Sequence, residues 1–271
     1  AFCGDSAVRL DVRFDEMFAG FESLGEVMAL TRNESAVHEK IGVYDRFIEG
    51  KHASMMLGEQ IDMRMFPNHW KHAFSVTKVS DGETRHSIQF FDVYGDAIHK
   101  VHARPATDLN AWHSLVGRFV SSDQSEGMSV EKRVREFHPK PDAAKLADLH
   151  DRWGRMTDTH QFFPLLRTLK IERIDAVRGI GEDYAVELAT GAVTAMMEAS
   201  AADGLPIMAF VGNDACIQIH SGPVQNIKAM GPWINVMDET FHLHLRNDHI
   251  AEAFLVKKPT DKGSVHSVEA Y

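Results

Sequence analysis

The sequence predicts an α+β protein built by internal duplication, with two large antiparallel β-sheets, each flanked by helices. Three observations carry this. Short segments with apolar residues at alternate positions follow one another, separated by turn residues. Stretches with helical spacing stand before and after them. The chain also resembles itself at a fixed offset of 180 residues.

Taken in chain order, Phe14, Met17, Phe18, Phe21 and Leu24 recur at helical spacing with acids between them, which predicts an amphipathic helix lying on something flat. Residues 27–33 read as a strand, and 53–57, 61–66, 73–77 and 87–91 as further β-segments. Residues 92–96 read as a hairpin turn into a strand at 97–101. Helical spacing returns over 108–119 through Leu109, Trp112, Leu115, Val116 and Phe119. Sliding the chain by 180 then superposes residues 27–91 on 207–271 without a gap, with 13 of 65 positions identical. Asn33/Asn213, Gly42/Gly222, Lys78/Lys258 and Ser87/Ser267 are among them, and the apolar alternation stays in phase. The helix before the sheet is expected to recur over 187–202. Polar and Pro-bearing stretches at 121–127 and 138–141 predict a linker. The expected domains are a first repeat over 1–125, a linker over 126–141 and a second repeat over 142–271. Copy one runs past Phe91 into a further hairpin, whereas the equivalent position of copy two is Tyr271. The second sheet is therefore expected to lack its last hairpin.

Composition narrows the function classes. With 271 residues, 44% hydrophobic and 25% charged, the chain reads as globular, and no run of 18 apolar residues offers a membrane span. The first residues lack the basic start and apolar stretch of a signal peptide, and the missing initiator Met suggests a trimmed N-terminus. Two cysteines, Cys3 and Cys216, make no disulfide framework and suit a reducing cytoplasm. A net charge of −10 argues against general nucleic-acid binding, so the basic run at 131–135 reads as a solvated face. No Gly-rich phosphate loop, nucleophile elbow or Cys-x-x-Cys motif is present.

The candidate chemistry centres on one stretch. Asp142 reads as the cap of a helix carrying Leu146, Leu149, Trp153 and Met156. Beyond it His160 either extends the helix face or sits in a fresh cap made by Asp158 and Gln161. Around His160 lie Trp153, Met156, Phe162, Phe163, Leu165 and Leu166, with Arg167 and Arg173 close behind. An imidazole for iron, apolar surface for a macrocycle and cations for propionates are what haem requires, although a lone His among apolar residues is more often a packed core residue. His69-x-x-His72 has a spacing that lets two imidazoles share a metal on a helix, but an aromatic cluster at a sheet edge explains it as well. His242-x-His244 places both rings on one strand face, where copy one has Asp62 and Arg64. Alternation puts Asp62, Arg64 and Phe66 on a common side, either as a receptor for a flat anion or as an ordinary solvated face.

Several longer motifs carry a family resemblance. Leu30-Thr-Arg-Asn-Glu-Ser-Ala-Val-His-Glu-Lys40, Ile61-Asp-Met-Arg-Met-Phe66, Met156-Thr-Asp-Thr-His-Gln-Phe-Phe163, Ile207-Met-Ala-Phe-Val-Gly-Asn213 and Gly231-Pro-Trp-Ile-Asn-Val236 resemble the bacterial cytoplasmic haem-trafficking proteins, or hemin-degrading factors (HemS/PhuS-like). The resemblance runs over essentially the whole chain. It implies a pseudo-symmetric protein holding haem b, iron protoporphyrin IX, in a cleft between its halves. It further implies that His160 is the axial ligand, that Arg64 lies on the open side of the iron with Phe66 beside it, and that Arg173, Lys258 and Phe210 serve the propionates and pocket wall. By the same resemblance the chain is a cytoplasmic carrier that receives imported haem, with an inner-membrane haem transporter as a possible donor. It would pass the haem to an acceptor such as haem oxygenase. The enzyme alternative is opening of the porphyrin ring with peroxide, or with reductant and oxygen. A third reading, from the 16 histidines, is a transition-metal binder dependent on His69 and His72.

Overall fold

Residues 6–134 and 139–271 are described by the computed structural model; Cys3, Arg135 and His138 lie outside them. The first half runs β1 (Ser6–Leu10), α1 (Phe14–Gly20), β2 (Val27–Arg32), β3 (Ala36–Gly42), β4 (Phe47–Ile48), β5 (Ser54–Leu57) and β6 (Asp62–Met65). It continues through β7 (His72–Ser80), β8 (Glu83–Phe91), β9 (Ala97–Ala103) and α2 (Leu109–Phe119). Three helices follow, α3 (Ala143–Gly154), α4 (Phe162–Leu169) and α5 (Arg173–Gly179), and then β10 (Ala185–Leu188) and α6 (Ala192–Asp203). The remaining strands are β11 (Ile207–Gly212), β12 (Cys216–Gly222), β13 (Ile227–Met230), β14 (Trp233–Met237), β15 (Phe241–Arg246), β16 (Ala253–Thr260) and β17 (Gly263–Ala270).

Local chemistry accounts for the boundaries. The apolar run after Phe14 starts as α1 and tightens at Phe21 into a 3-10 turn that ends at Gly25, whose φ of 67° suits glycine. Asp108 and Asp142 cap α2 and α3, accepting from Asn110 and Ala111 in the first case and Lys145 in the second. Asp81 and Gly82, at φ 54° and 81°, close the β7–β8 hairpin. The helix expected over 187–202 is shifted: Glu187 and Leu188 belong to β10, and α6 begins at Ala192.

The α+β class, with large antiparallel sheets and helices, is the architecture found. One sheet has nine strands in the order β1-β7-β8-β9-β2-β3-β15-β14-β13. The others have five strands, β11-β12-β6-β5-β4, and three, β10-β16-β17. Duplication is visible in the register. Between β12 and β6 the pairs are Cys216/Met65, Ile217/Arg64, Gln218/Met63 and Ile219/Asp62. Moving each residue by 180 gives Ala36/Leu245, Val37/His244, His38/Leu243 and Glu39/His242, which are pairs of β3 with β15. The two copies therefore exchange strands. β2 pairs with β3 and with β9, whereas its counterpart β11 has β12 alone among the described residues.

Because of that exchange, the compact units are not contiguous. One comprises residues 1–133 and 200–245, the other 134–199 and 246–271. The division expected at 142–271 differs, since 200–245 pack with the first repeat. The first unit buries Phe14, Met17, Phe18 and Phe21 against Trp70, Phe90, Trp112 and Phe119. Three of its buried titratable groups, His99, His38 and Cys216, are held neutral by burial. The His99 ring bridges two hydroxyls, with Nε2 2.6 Å from Tyr44 Oη and Nδ1 2.8 Å from Thr31 Oγ1. Burial, with His102 nearby, holds His99 at a pKa of about 3, and burial with His220 and Lys40 does the same to His38. Cys216 is fully buried and its thiol is pushed up to about 12. The second unit is centred on Leu149, Trp153, Phe162, Leu165, Val177, Phe254 and Val256, with Trp153 Nε1 donating to the Lys257 carbonyl at 2.9 Å. No helix is long and apolar enough to cross a membrane among the described residues.

Candidate functional site

Of the two arrangements the sequence leaves open around His160, the chain adopts the fresh cap. α3 ends at Gly154, and Asp158 starts a 3-10 turn over Thr159–Gln161. Gln161 Oε1 accepts from the Thr157 N–H at 2.9 Å and from the Asp158 N–H at 3.4 Å. Asp158 Oδ1 accepts twice from His160, from its backbone N–H at 2.7 Å and from ring Nδ1 at 2.6 Å. Those bonds, the backbone one foremost, hold the Asp158 carboxyl below its ordinary range. In the neutral ring, a proton on Nδ1 leaves the lone pair on Nε2, and the side chain is 88% exposed. A carboxylate on the far nitrogen is the usual way a metal-ligating histidine is oriented and made more basic. His160 is therefore not a packed core residue.

Behind it α4 supplies Phe162, buried, and Phe163, 51% exposed. Arg173 lies 5.2 and 5.3 Å from their two ring centroids. Arg173 and Lys258, both singled out in the sequence, converge on a third residue that sequence reasoning missed. Glu269 accepts from Arg173 Nε at 2.9 Å and Nη2 at 2.7 Å, from Lys258 Nζ at 2.5 Å, from Tyr271 Oη at 2.7 Å and from Ser267 Oγ at 3.0 Å. Burial alone would raise the Glu269 carboxyl, but the bonds and charges of Arg173 and Lys258 outweigh it and hold the pKa at about 2. Burial lowers that of Lys258, whose residue is only 7% exposed. One signal in the sequence marks this residue: under the 180-residue offset, Glu269 replaces a neutral Gln89.

The other singled-out residues lie in the first unit. Phe210 opposes Ile219 and Ile219 opposes Asp62; Gly212 opposes Ile217 and Ile217 opposes Arg64. The two rows are two residues apart, so one face of the five-stranded sheet carries Phe210, Asp62 and Arg64. Phe210 and Met208 are more than half exposed on it. Arg64 Nη1 is bonded to Asp62 Oδ1 and to the Met63 carbonyl. Phe66, just past the end of β6, keeps an extended backbone with its N–H on the Ala215 carbonyl at 2.8 Å, and it is half-buried like Asp62 and Arg64, so the alternation holds up to the 3-10 turn begun by Pro67. His69 belongs to that turn and His72 to β7, so the pair shares no helix, while Trp70 is buried with Nε1 on the Ala215 carbonyl. His242 Nδ1 meets Glu39 at 3.0 Å and His244 Nδ1 meets Asn235 at 2.7 Å. Among the described residues, no group of three or more His, Cys, Asp or Glu side chains is placed to hold a metal ion.

Comparison with known proteins shows the family. A family model described as the haemin-degrading HemS.ChuX domain matches residues 1–119 and 170–271. The chain belongs to this family. Arg64, Phe66, Arg173, Phe210 and Lys258 fall inside the matched segments and His160 between them. The hemin transport protein HmuS of Yersinia pestis is 38% identical over 273 residues, covering 99% of this chain and 77% of HmuS. Holo-PhuS, a heme-binding protein from Pseudomonas aeruginosa, superposes with a TM-score of 0.94 at 38% identity, over 98% of this chain and 78% of PhuS. The heme degrading enzyme ChuS of Escherichia coli O157:H7 superposes with a TM-score of 0.91 at 35% identity, over 98% and 78%.

Proposed function

We propose that this HemS/ChuX family chain binds haem through His160 and acts as a carrier, receiving imported haem in the cytoplasm and passing it to an acceptor such as haem oxygenase. The observation that carries the reading is the His160 imidazole, anchored through Nδ1 to Asp158 with Nε2 turned to solvent. Haem supplies an iron with axial positions, an apolar ring and two carboxylates. On this chain Nε2 offers the lone pair, Phe162 and Phe163 offer aromatic surface, and Arg173 with Lys258 offers positive charge to propionates. Roles for Arg64, Phe66 and Phe210, in the other unit, belong to the same proposal and are tested by substitution. A single strong ligand suits a protein that must release what it takes up. Support also comes from the relatives HmuS and PhuS, described as hemin transport and heme-binding proteins.

The test is a hemin titration followed at the Soret band, on this chain and on His160→Ala. About one equivalent should bind with a ligated spectrum that the variant loses; identical spectra would reject the axial assignment. A second reading, haem degradation, is favoured by the description of ChuS as a heme degrading enzyme. Incubating the complex with ascorbate and oxygen, or with peroxide, separates the two. A carrier hands intact haem to an acceptor, whereas an enzyme yields an open-chain tetrapyrrole and loses the Soret band.

A further inference from the structure

Arg173 and Lys258 do not stand as two free cations. Glu269 occupies the Nε–Nη2 edge of the guanidinium with both carboxylate oxygens and takes the Lys258 ammonium on Oε1. Tyr271 and Ser267 fix the carboxylate from the other side. Exposure is uneven: the Arg173 side chain is 37% exposed and that of Lys258 9%. Arg173 is thus the more accessible of the two cations, with Lys258 largely covered. Two cations and one anion leave the trio at a net +1.

We infer that Glu269 is a specificity-determining residue for carboxylate-bearing ligands, an internal carboxylate that competes for the Arg173 and Lys258 donors and so keeps a ligand carboxylate loosely held. This rests on the haem reading in that the propionates of haem are the carboxylates concerned. Two effects oppose each other when Glu269 is made neutral. Arg173 loses an anchor, which costs the ligand some preorganisation. The ligand also loses a like charge a few ångströms away in a partly buried site, where repulsion is poorly screened. The second effect is the larger, because Arg173 keeps its contacts with Phe162 and Phe163.

The experiment compares hemin with hemin dimethyl ester, which keeps the iron and ring but has no free carboxylates. Binding of both is measured on the full chain, E269Q, K258Q and the double variant, whose trios carry +1, +2, 0 and +1. The preference for hemin over the ester should rise at least about tenfold in E269Q, through slower release. It should return to within about threefold of the parent in the double variant and fall below the parent in K258Q. Ester affinity should be the same throughout. K258Q and the double variant differ at position 269 alone, so they carry the test if E269Q does not fold. An unchanged or smaller preference on neutralising Glu269, in either background, overturns the inference. A parent chain that binds hemin and ester equally overturns it too while leaving haem ligation standing. A parent that binds neither removes the haem reading and this inference together.

Discussion

The β7–β8 and β16–β17 hairpins are the same object built twice: their registers coincide under the 180-residue offset, from Ala73/Phe90 and Ala253/Ala270 to the turn. At three equivalent positions they diverge in use. In the first, Gln89 Nε2 donates to Ser87 Oγ at 3.0 Å and Lys78 is exposed. In the second, Ser267 Oγ donates to Glu269 at 3.0 Å, and Lys258 is drawn in beside it. The backbone is common; one amide replaced by a carboxylate, and one arginine arriving from α5, make the charged cluster. Duplication supplied a scaffold, and the chemistry was placed on one copy of it.

The largest test of that contrast is alanine at the two positions. Glu269→Ala leaves Lys258 and Arg173 without their anion and should cost about 3–5 kcal/mol in urea unfolding. Gln89→Ala should cost less than about 1 kcal/mol. Equal losses would break the comparison. Acid should next separate the two units. His38 and His99 are held at about 3 and His102 at about 4, all in the first unit. Unfolded histidine takes a proton near pH 6.5, roughly, so the unfolded state gains protons that the folded one refuses, and this unit weakens as pH falls below that value. Glu269, with a folded pKa of about 2, contributes stability that is complete above the unfolded value of roughly 4.3 and is lost as pH falls towards 2. Hydrogen-exchange protection in β2 and β9 should therefore decline between roughly pH 6 and 4.5 while β16 and β17 hold; the reverse order would contradict the burial argument. The smallest effect is expected for Gln89→Glu. Lys78 lies in solvent, so stability should move by less than about 0.5 kcal/mol.

How much of this was legible from sequence depends on distance along the chain. The helix from Phe14, the cap at Asp142, and the duplication could all be read, because each is written within a few residues or at one fixed offset. The Asp158–Gln161 cap was visible only as one of two choices, since the capping pair competes locally with continuation of α3. The alternation that groups Asp62, Arg64 and Phe66 was legible because it is local, and it runs up to Pro67, where the chain turns. Glu269 was missed because a carboxylate in an alternating strand reads as solvent-facing, and its partner Arg173 is 96 residues away. The strand exchange could not be read at all, since a repeat suggests pairing within each copy.

That exchange sets a timetable for the chain as it is made. Glu39 in β3 and His242 in β15 are 203 residues apart, and β6 waits similarly for β12. At roughly 5–20 residues per second on the ribosome, about 10–40 s pass between the appearance of β3 and of the strand that covers its edge. Throughout that interval β3 offers the unpaired backbone groups of one edge to any other nascent strand. The first unit cannot close until the 200–245 stretch has emerged, so the contacts that complete it are among the longest in sequence that the chain makes.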